Sequence, residues 1–279
     1  MIAPADLPGV GARAILEALW PSRCALCGIA VGDVPAATRR RAGIRWCDPT
    51  ALCTSCEDRL PAAPVVLRHD GVPPPLVVGA GSVNHPALAE LVGVWKYRGR
   101  RGLAAPLGRL AVAGAAAALA AAGGADVLVP VPLHPRRHRE RGFNQAEVLA
   151  RAVGAALDLP VRPELLRRRR ATSQQAHFAG DDPRRRRNVA DAFAARPPLD
   201  GRTWEGRARA ALIDDLVTSG ATLAAAAAAL RAAGWTVVWS AAAGAAPAAP
   251  GAVLLTPPDA APTIPAAWTD GGGTTEGGR

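Results

Sequence analysis

Two adjacent carboxylates, followed by a turn of hydroxyl-bearing and small residues, form the most chemically informative stretch of this sequence. The carboxylates are Asp214 and Asp215, and the turn is Thr218-Ser219-Gly220-Ala221-Thr222. Hydroxyls and backbone N–H groups in such a turn can bind an anion where a helix begins. Gly220 permits a positive φ and a close approach of the backbone to a ligand. The stretch therefore predicts a phosphate-binding turn with diol-binding carboxylates at its edge.

An apolar run leads into the acidic pair, and an alanine-rich segment follows the turn. The run Ala211-Leu212-Ile213 is typical of a buried parallel strand, which we expect to end at the two carboxylates. The segment that continues to Arg231 has high helix propensity. This order puts the turn at a helix N-terminus. No Gly-Lys-Ser/Thr follows the glycine, which excludes a Walker A loop.

This pattern resembles the phosphoribosyl-pyrophosphate (PRPP) signature of the type I phosphoribosyltransferases. The resemblance implies an α/β fold, a parallel sheet flanked by helices, with PRPP bound together with Mg²⁺. It implies that Asp214 and Asp215 hold the ribose 2′- and 3′-hydroxyls. The residues that it implies for the 5′-phosphate are Thr218, Ser219, Gly220, Ala221 and Thr222.

A second strand-to-helix connection is rich in arginine. The strand is predicted at residues 126–132, the helix at residues 146–157, and the connection reads LHPRRHRERGFNQ. Ligands of open α/β sheets bind at such strand ends, so we interpret it as a pyrophosphate-binding loop, with a solvated basic loop as the alternative. The candidate residues, with a lysine from a separate WKYRG segment, are Arg139, Arg141, Gly142, Asn144, Gln145 and Lys96. For the lysine, a solvated helix end is an equally good account.

Four of the five cysteines form two C-x-x-C pairs, with 25 residues between Cys27 and Cys53. This separation is somewhat longer than is usual for paired zinc knuckles. A segment of this size is not stabilised by core burial alone, whereas structural zinc contributes about 10–16 kcal/mol. The pattern predicts one structural Zn²⁺ bound by Cys24, Cys27, Cys53 and Cys56. Cys47 is the alternative to one of these ligands.

The rest of the sequence predicts three regions. Residues 1–62 hold a helix at 12–20 and a double zinc-ribbon-like module, and a proline-rich linker follows at 61–75. Residues 63–255 form the phosphoribosyltransferase-like domain, and residues 256–279 a disordered tail. Within the domain, the arginine-rich stretch 163–193 predicts a mobile loop or a short hairpin. The other predicted strands and helices are 76–83, 85–95, 103–122 and 235–243.

The chain of 279 residues has a net charge of +10, and almost all of its basic residues are arginine. Arginine suits phosphate recognition and a basic chain suits polyanions, with compositional bias of the source genome as the alternative. Residues 110–125 are uncharged, but alanine and glycine dominate them, so we expect no membrane insertion. The start of the chain has no signal-peptide pattern, and paired cysteines fit a reducing compartment, so a cytoplasmic location is expected.

Together, these segments resemble the ComF family, which joins an N-terminal zinc finger to a phosphoribosyltransferase-like domain. The matching segments, in the family's order, are CALC, LCTSC, WKYRG, DVLVPVPLHPRRHRERGFNQA, the R-x-x-x-T-x-Q-Q that begins at Arg168, RNV, and ALIDDLVTSGAT. Ser219 stands where the family usually has threonine, and it keeps the hydroxyl. The resemblance implies a role in natural competence, in which single-stranded DNA is handled beside a helicase-like partner.

Two functions remain open at this point. As an enzyme, the protein would be a PRPP-dependent phosphoribosyltransferase, a glycosyltransferase that releases pyrophosphate. As a binding module, it would sense PRPP or a nucleotide in the same pocket while its arginines and zinc finger bind single-stranded DNA. Stacking aromatic residues are expected for the second function, and the sequence has few of them near its basic stretches.

Overall fold

A computed structural model describes residues 23–30, 52–60, 63–70, 74–83, 86–98, 101–169, 192–198, 208–246 and 252–255 of the chain. Several sequence predictions lie outside these ranges. They are the helix at 12–20, the role of Cys47, the arginine run at 184–187 and the tail from residue 256. These stay predictions.

Within the described ranges the chain forms helices, strands and two short 3₁₀ turns. The helices are α1 (Thr54–Asp58), α2 (Pro86–Arg98), α3 (Ala104–Ala122), α4 (Pro135–Arg141), α5 (Gln145–Leu157) and α6 (Ala221–Ala232). The strands are β1 (Val65–His69), β2 (Leu76–Ala80), β3 (Val127–Pro130), β4 (Leu166–Arg168), β5 (Phe193–Ala195), β6 (Arg209–Val217), β7 (Thr236–Ala245) and β8 (Ala252–Leu254). The 3₁₀ turns are Arg101–Leu103 and Pro163–Leu165.

Six of these strands form one mixed sheet in the order β3-β6-β7-β2-β1-β8. Strands β3, β6, β7 and β2 run parallel, and the antiparallel strands β1 and β8 complete one edge. Strands β4 and β5 form a separate antiparallel pair. The α/β class and the mostly parallel sheet flanked by helices are therefore confirmed. Because these four strands run in the same direction, their carboxyl ends lie at one edge of the sheet, where ligands of open α/β sheets bind.

The central strands are apolar on both faces because helices cover both sides of the sheet. In β6, Ala210 and Leu212 pack into the cluster that contains Leu230 of α6. The alternate residues Ala211 and Ile213 pack into the opposite cluster, with the helices α2, α3 and α5. These two apolar layers hold β6 in the middle of the molecule and fix where its carboxyl end emerges.

Helix α3 lies against β2 at backbone contact distance. A Cβ atom on Gly79 would lie 1.9 Å from the carbonyl oxygen of Gly114, and one on Gly81 would lie 2.1 Å from that of Leu110. No side chain fits into such a space, so glycine is required both at position 79 of β2 and at position 81 directly after it. The Gly79-x-Gly81 pair is thus a packing feature between a strand and a helix.

Among the described helices, α3 is long and apolar enough to cross a membrane, judged by length and composition. However, 61% of its apolar window is buried inside the protein. Its buried face, which includes Leu107 and Ala111, packs on β2, β7 and α5. A core helix of a globular domain has these same properties, so the helix is weak evidence for a membrane span.

Three local predictions from the sequence are wrong in detail. Strand β1 lies inside the predicted linker 61–75, because its buried residues Val65 and Leu67 pair with β2 and join the core. Strand β6 does not end at the carboxylates; it continues to Val217, which pairs with Ala245 of β7. The arginine-rich connection after β3 contains the helix α4, which proline at its first position favours.

The stretch 163–193 is described in part. Leu166–Arg168 and Phe193–Ala195 pair as β4 and β5, in the register of a hairpin. Of the two alternatives for this stretch, the hairpin agrees with its described ends. Residues 170–191 lie outside the described residues.

Candidate ligand-binding site and metal centre

The turn between β6 and α6 has the geometry of an anion-binding turn. Gly220 precedes α6 with φ of 71°, a left-handed conformation that glycine adopts without strain. The N–H groups of the first helical turn have no acceptor within the helix. The Ser219 hydroxyl lies 3.5 Å from the Ala221 nitrogen, and Thr218 and Thr222 reach the surface beside it. The backbone N–H groups and hydroxyls of the turn and the dipole of α6 would therefore all favour an anion bound at this position.

The acidic pair, in the last part of β6, is held by a lysine from helix α2. Lys96 Nζ of α2 donates to Asp215 Oδ1 at 2.8 Å, and both side chains are mostly buried, 21% and 10% exposed. Asp214 Oδ1 accepts the backbone N–H of Asp215 at 2.8 Å. The predicted site residue Lys96 thus contacts the acidic pair, although it lies 119 positions before Asp215 in the sequence.

The two carboxylates have different electrostatic environments. Burial, and after it the neighbouring Asp215 carboxylate, together raise the pKa of Asp214 to about 7, against the opposing effects of Lys96 and Arg168. Like charges at adjacent positions repel, so a proton on one of them relieves the pair. Near neutral pH the pair can therefore both accept and donate hydrogen bonds, which suits binding to the hydroxyls of a diol.

Helix α2 also contacts the segment that follows α4. The rings of Trp95 and Phe143 lie 5.7 Å apart at an interplanar angle of 50°. The guanidinium of Arg141 lies over the Tyr97 ring, 5.4 Å from its centroid. The WKYRG and RGFNQ segments are therefore neighbours in the fold, and Lys96 connects them to the acidic pair.

The other residues predicted for the arginine-rich connection fall into two groups. Asn144 and Gln145 are buried: Asn144 Nδ2 donates to the Val131 carbonyl at 3.1 Å, and Arg141 donates to Gln145 Oε1 at 3.4 Å. They brace the start of α5 against the end of β3. Gly142 ends α4 with φ of 75°, whereas Arg139 is exposed on α4.

One arginine that the sequence did not single out as a site residue lies near the acidic pair, and a second lies near that arginine. Arg168 of β4 interacts electrostatically with Asp214 and with Arg137 of α4, and its burial lowers the pKa of its guanidinium. Arg168 also lies over the Phe193 ring, 5.3 Å from the centroid. Arg137 shares a helix face with Arg141, four positions on. That periodicity could have distinguished Arg137 from Arg139 once the connection was recognised as a helix.

His69 is another residue that the sequence did not indicate. It ends β1, is buried, and its Nε2 lies 3.0 Å from the carbonyl oxygen of Ser219 in the anion-binding turn. A Cβ atom on Gly220 would lie 2.0 Å from the same nitrogen. No sequence signal pointed to this contact, because β1 lies 150 positions before the turn.

The four cysteines of the two C-x-x-C pairs come together as predicted. Their sulfur atoms all lie within 4.8 Å of one another, and those of Cys27 and Cys53 are 3.6 Å apart. Tetrahedral zinc with bonds of about 2.3 Å separates its sulfur ligands by about 3.8 Å. Cys24, Cys27, Cys53 and Cys56 therefore have the spacing and the chemistry to hold one metal ion such as zinc.

The electrostatics of this cluster also suit a cation. Burial raises the pKa of Cys24, but backbone hydrogen bonds, chiefly at Cys27 and Cys53, outweigh it and lower that pKa to about 6. Burial and the other thiols raise the pKa of Cys56 to about 12. Four thiolates without a cation would repel one another, and a bound Zn²⁺ removes that repulsion.

The cysteine cluster is attached to the core of the molecule. Cys24, Leu52 and Cys56 belong to the same apolar cluster as Leu88 and Leu107 of helices α2 and α3. Glu57 of α1 also forms an ion pair with Arg109 of α3. The cysteine cluster therefore packs against the same helical layer that carries Lys96.

Comparison with known proteins places this chain among DNA-utilization and competence proteins. No protein-family model matches it. It is 34% identical over 181 residues to the DNA utilization protein YhgH of Salmonella typhimurium, across 62% of this chain and 75% of that protein. The YhgH protein of Escherichia coli O157:H7 is 38% identical over 99 residues, 36% of this chain. Competence protein F of Haemophilus influenzae is 33% identical over 98 residues, 35% of this chain.

The coverage of these relatives differs. The matches span 40% of the Escherichia coli protein and 41% of the Haemophilus protein, less than half of each. The Salmonella match spans 75% of its protein, and it shows the relationship. From this similarity, the chain belongs to the ComF family of competence and DNA-utilization proteins.

Proposed function

We propose that the site at the carboxyl edge of the sheet binds PRPP, or a related phosphoribosyl ligand, in a protein that acts in DNA utilization or natural competence. The observation that carries the proposal is the convergence of three distant segments. Lys96 pairs with Asp215, Arg141 covers Tyr97, and the acidic pair leads directly into the glycine turn of α6. A sugar phosphate needs these groups side by side: acceptors for hydroxyls and donors for phosphate.

Each part of the ligand has a matching part of the site. Asp214 and Asp215 would accept hydrogen bonds from the ribose 2′- and 3′-hydroxyls. The turn from Thr218 to Thr222 would donate to the 5′-phosphate. Arginines of α4 and β4, led by Arg137, Arg141 and Arg168, would face the pyrophosphate, whose charge they would stabilise as it leaves C1.

Magnesium would arrive with the ligand. Mg²⁺ is usually bound by one or two carboxylates together with phosphate oxygens of a substrate. Asp214 and Asp215 offer such carboxylate oxygens, so the residues present fit that arrangement. When bound, Mg²⁺ would neutralise the pyrophosphate charge, and the arginines would orient the same group.

Calorimetric titration with Mg²⁺-PRPP tests this proposal. Wild type should bind, and the double variant Asp214→Asn/Asp215→Asn should lose measurable binding at ligand concentrations that saturate wild type. Arg151→Ala is the matched control, since Arg151 lies on the exposed face of α5, where it forms an ion pair with Glu147. Equal affinity in wild type and the double variant would refute the ribose role of the carboxylates.

Whether the protein turns PRPP over is a separate question within the proposal. Transferase activity predicts pyrophosphate release when Mg²⁺-PRPP is incubated with a panel of nucleobases. Binding without pyrophosphate release under any of them would leave a PRPP-sensing module. The four cysteines of the cluster are not joined in disulfides, which fits work in a reducing compartment such as the cytoplasm.

Single-stranded DNA is a second candidate ligand, alone or with a helicase-like partner. The net charge of +10 favours it, and so do the printed names of the relatives, which refer to DNA utilization and competence. Exposed Arg136 and Arg139 on α4 add basic surface beside the site. Because PRPP carries few charges, the two ligands can be told apart by the salt dependence of their binding.

A further inference from the structure

His69 makes a contact that sets the geometry of the anion-binding turn. The side chain is buried, 6% exposed, and its Nε2 lies 3.0 Å from the carbonyl oxygen of Ser219. A carbonyl oxygen can only accept, so Nε2 must carry the hydrogen. The contact therefore excludes the tautomer that carries its hydrogen on Nδ1 alone.

The other ring nitrogen indicates that this histidine does more than fill space. Among the described residues, Nδ1 of His69 is buried without a hydrogen-bond partner. A buried polar atom without a partner costs about 1–3 kcal/mol. An aliphatic side chain at this position of β1 would avoid that cost, but it would leave the Ser219 carbonyl without this donor.

Peptide geometry carries the effect of His69 to the next residue. In a trans peptide the N–H of Gly220 points opposite to the C=O of Ser219. Since that carbonyl is directed at His69 on β1, the Gly220 N–H is directed to the other side of the turn. A hydrogen bond to one end of this peptide thus fixes the direction of a donor at its other end.

The ring also occupies the space where a side chain at position 220 would lie. A Cβ atom on Gly220 would be 2.0 Å from Nε2 and 2.2 Å from Cδ2 of His69. Gly220 has φ of 71°, so both its backbone conformation and its neighbour require glycine. Histidine and glycine together leave the turn little freedom to rotate.

We propose that His69 is a positioning residue for the anion-binding turn: it holds the Ser219–Gly220 peptide so that the donors of the turn face the phosphate of the ligand. The inference rests on the proposed phosphate-binding function of this turn. It assigns an antiparallel strand of the sheet, β1, a part in ligand binding through a single hydrogen bond.

A matched pair of variants separates this role from packing. His69→Gln keeps an N–H donor at about the reach of Nε2, whereas His69→Asn keeps a polar amide that is too short. In calorimetric titrations with Mg²⁺-PRPP, His69→Asn should bind about tenfold more weakly than wild type, the loss expected for one hydrogen bond of about 1.4 kcal/mol. His69→Gln should restore most of that affinity. Equal affinity of His69→Asn and wild type would overturn the proposal.

The ligand-free protein provides an independent readout. In ¹H–¹⁵N spectra, the amides of Gly220, Ala221 and Thr222 should shift in His69→Asn and stay near wild type in His69→Gln. Unchanged amides in His69→Asn would also overturn the proposal. If wild type fails to bind Mg²⁺-PRPP while these amides shift as expected, the positioning role stands and the proposed ligand is wrong.

Discussion

Lys96 and Asp215 form a short ion pair, 2.8 Å between Nζ and Oδ1, at the edge of the sheet where the parallel strands end. The lysine comes from α2, and the carboxylate from the last three residues of β6. Both side chains are less than a quarter exposed. A pair that is this far removed from solvent is sensitive to the loss of one partner, because the remaining charge stays buried.

The first prediction concerns this pair. Lys96→Met should lower the free energy of unfolding by about 1–3 kcal/mol, since it removes a charged hydrogen bond from a buried carboxylate. Denaturant titration measures the change. Arg151→Met is the control, because its exposed pair with Glu147 should contribute less than about 1 kcal/mol. Equal losses of unfolding free energy in the two variants would show that the buried pair stabilises the protein no more than the exposed pair does.

The second prediction concerns the pH dependence of stability. Burial and Asp215 raise the pKa of Asp214 from 3.8 to about 7 in the folded protein. The folded state therefore keeps this proton to a higher pH than the unfolded chain. Its stabilising contribution is complete below the unfolded pKa of 3.8 and is lost as the pH rises towards about 7.

Asp214→Asn removes this titration and provides the measurement. Between about pH 4 and pH 7 the wild type should lose more stability than the variant in parallel denaturant titrations. In Lys96→Met the midpoint of this pH-dependent loss of stability should move to higher pH, because Lys96 lowers the pKa of Asp214. Parallel stability curves of wild type and Asp214→Asn across this range would contradict the raised pKa.

The third prediction concerns the metal centre. Metal analysis of the purified protein should find about one zinc per chain. Cys24→Ser and Cys56→Ser should lose it, because both sulfur atoms belong to the four-cysteine cluster. Cys47→Ser, at a position outside the described residues, should keep it. Zinc loss from Cys47→Ser with retention in Cys24→Ser would mean that the ligand set is wrong.

The fourth prediction concerns DNA. If single-stranded DNA is bound through several phosphates, log affinity should fall linearly with log salt, by about 0.7 for each contact. Replacing the arginines at 184–187 with alanine should flatten this slope and weaken binding to all sequences alike. Arg151→Ala should leave the slope unchanged. Indistinguishable binding by wild type and the four-alanine variant would mean that these arginines do not bind DNA and reflect the compositional bias of the source genome.

Much of the architecture could be predicted from the sequence because the signals are local. The apolar runs of β6 and β7, the alanine-rich helices α3 and α6, and the two cysteine pairs each lie within a short segment. Their periodicity and spacing specify strand, helix and metal site almost independently of context. The α/β class, the mostly parallel sheet and the cysteine cluster are confirmed for this reason, whereas the phosphoribosyltransferase-like fold stays a prediction.

The errors arose where tertiary contacts decide the outcome. Residues 65–69 looked like part of a linker, since proline surrounds them, but pairing with β2 makes them a strand. The carboxylates looked like the end of a strand, yet β7 continues to pair with β6 as far as Val217. Neighbouring strands set such boundaries, and their register cannot be read from one segment.

The sequence by itself determined which chemical groups the protein has: the acidic pair, the glycine turn, the arginine-rich connection and four thiols. Only the tertiary structure decided which of them meet. It directed Lys96 to Asp215, put Arg168 near Asp214 and Arg137 near Arg168, and set His69 against the turn. The physical reason is that these contacts join strands and helices far apart in sequence, and the packing of two helical layers on one sheet determines which of them lie side by side.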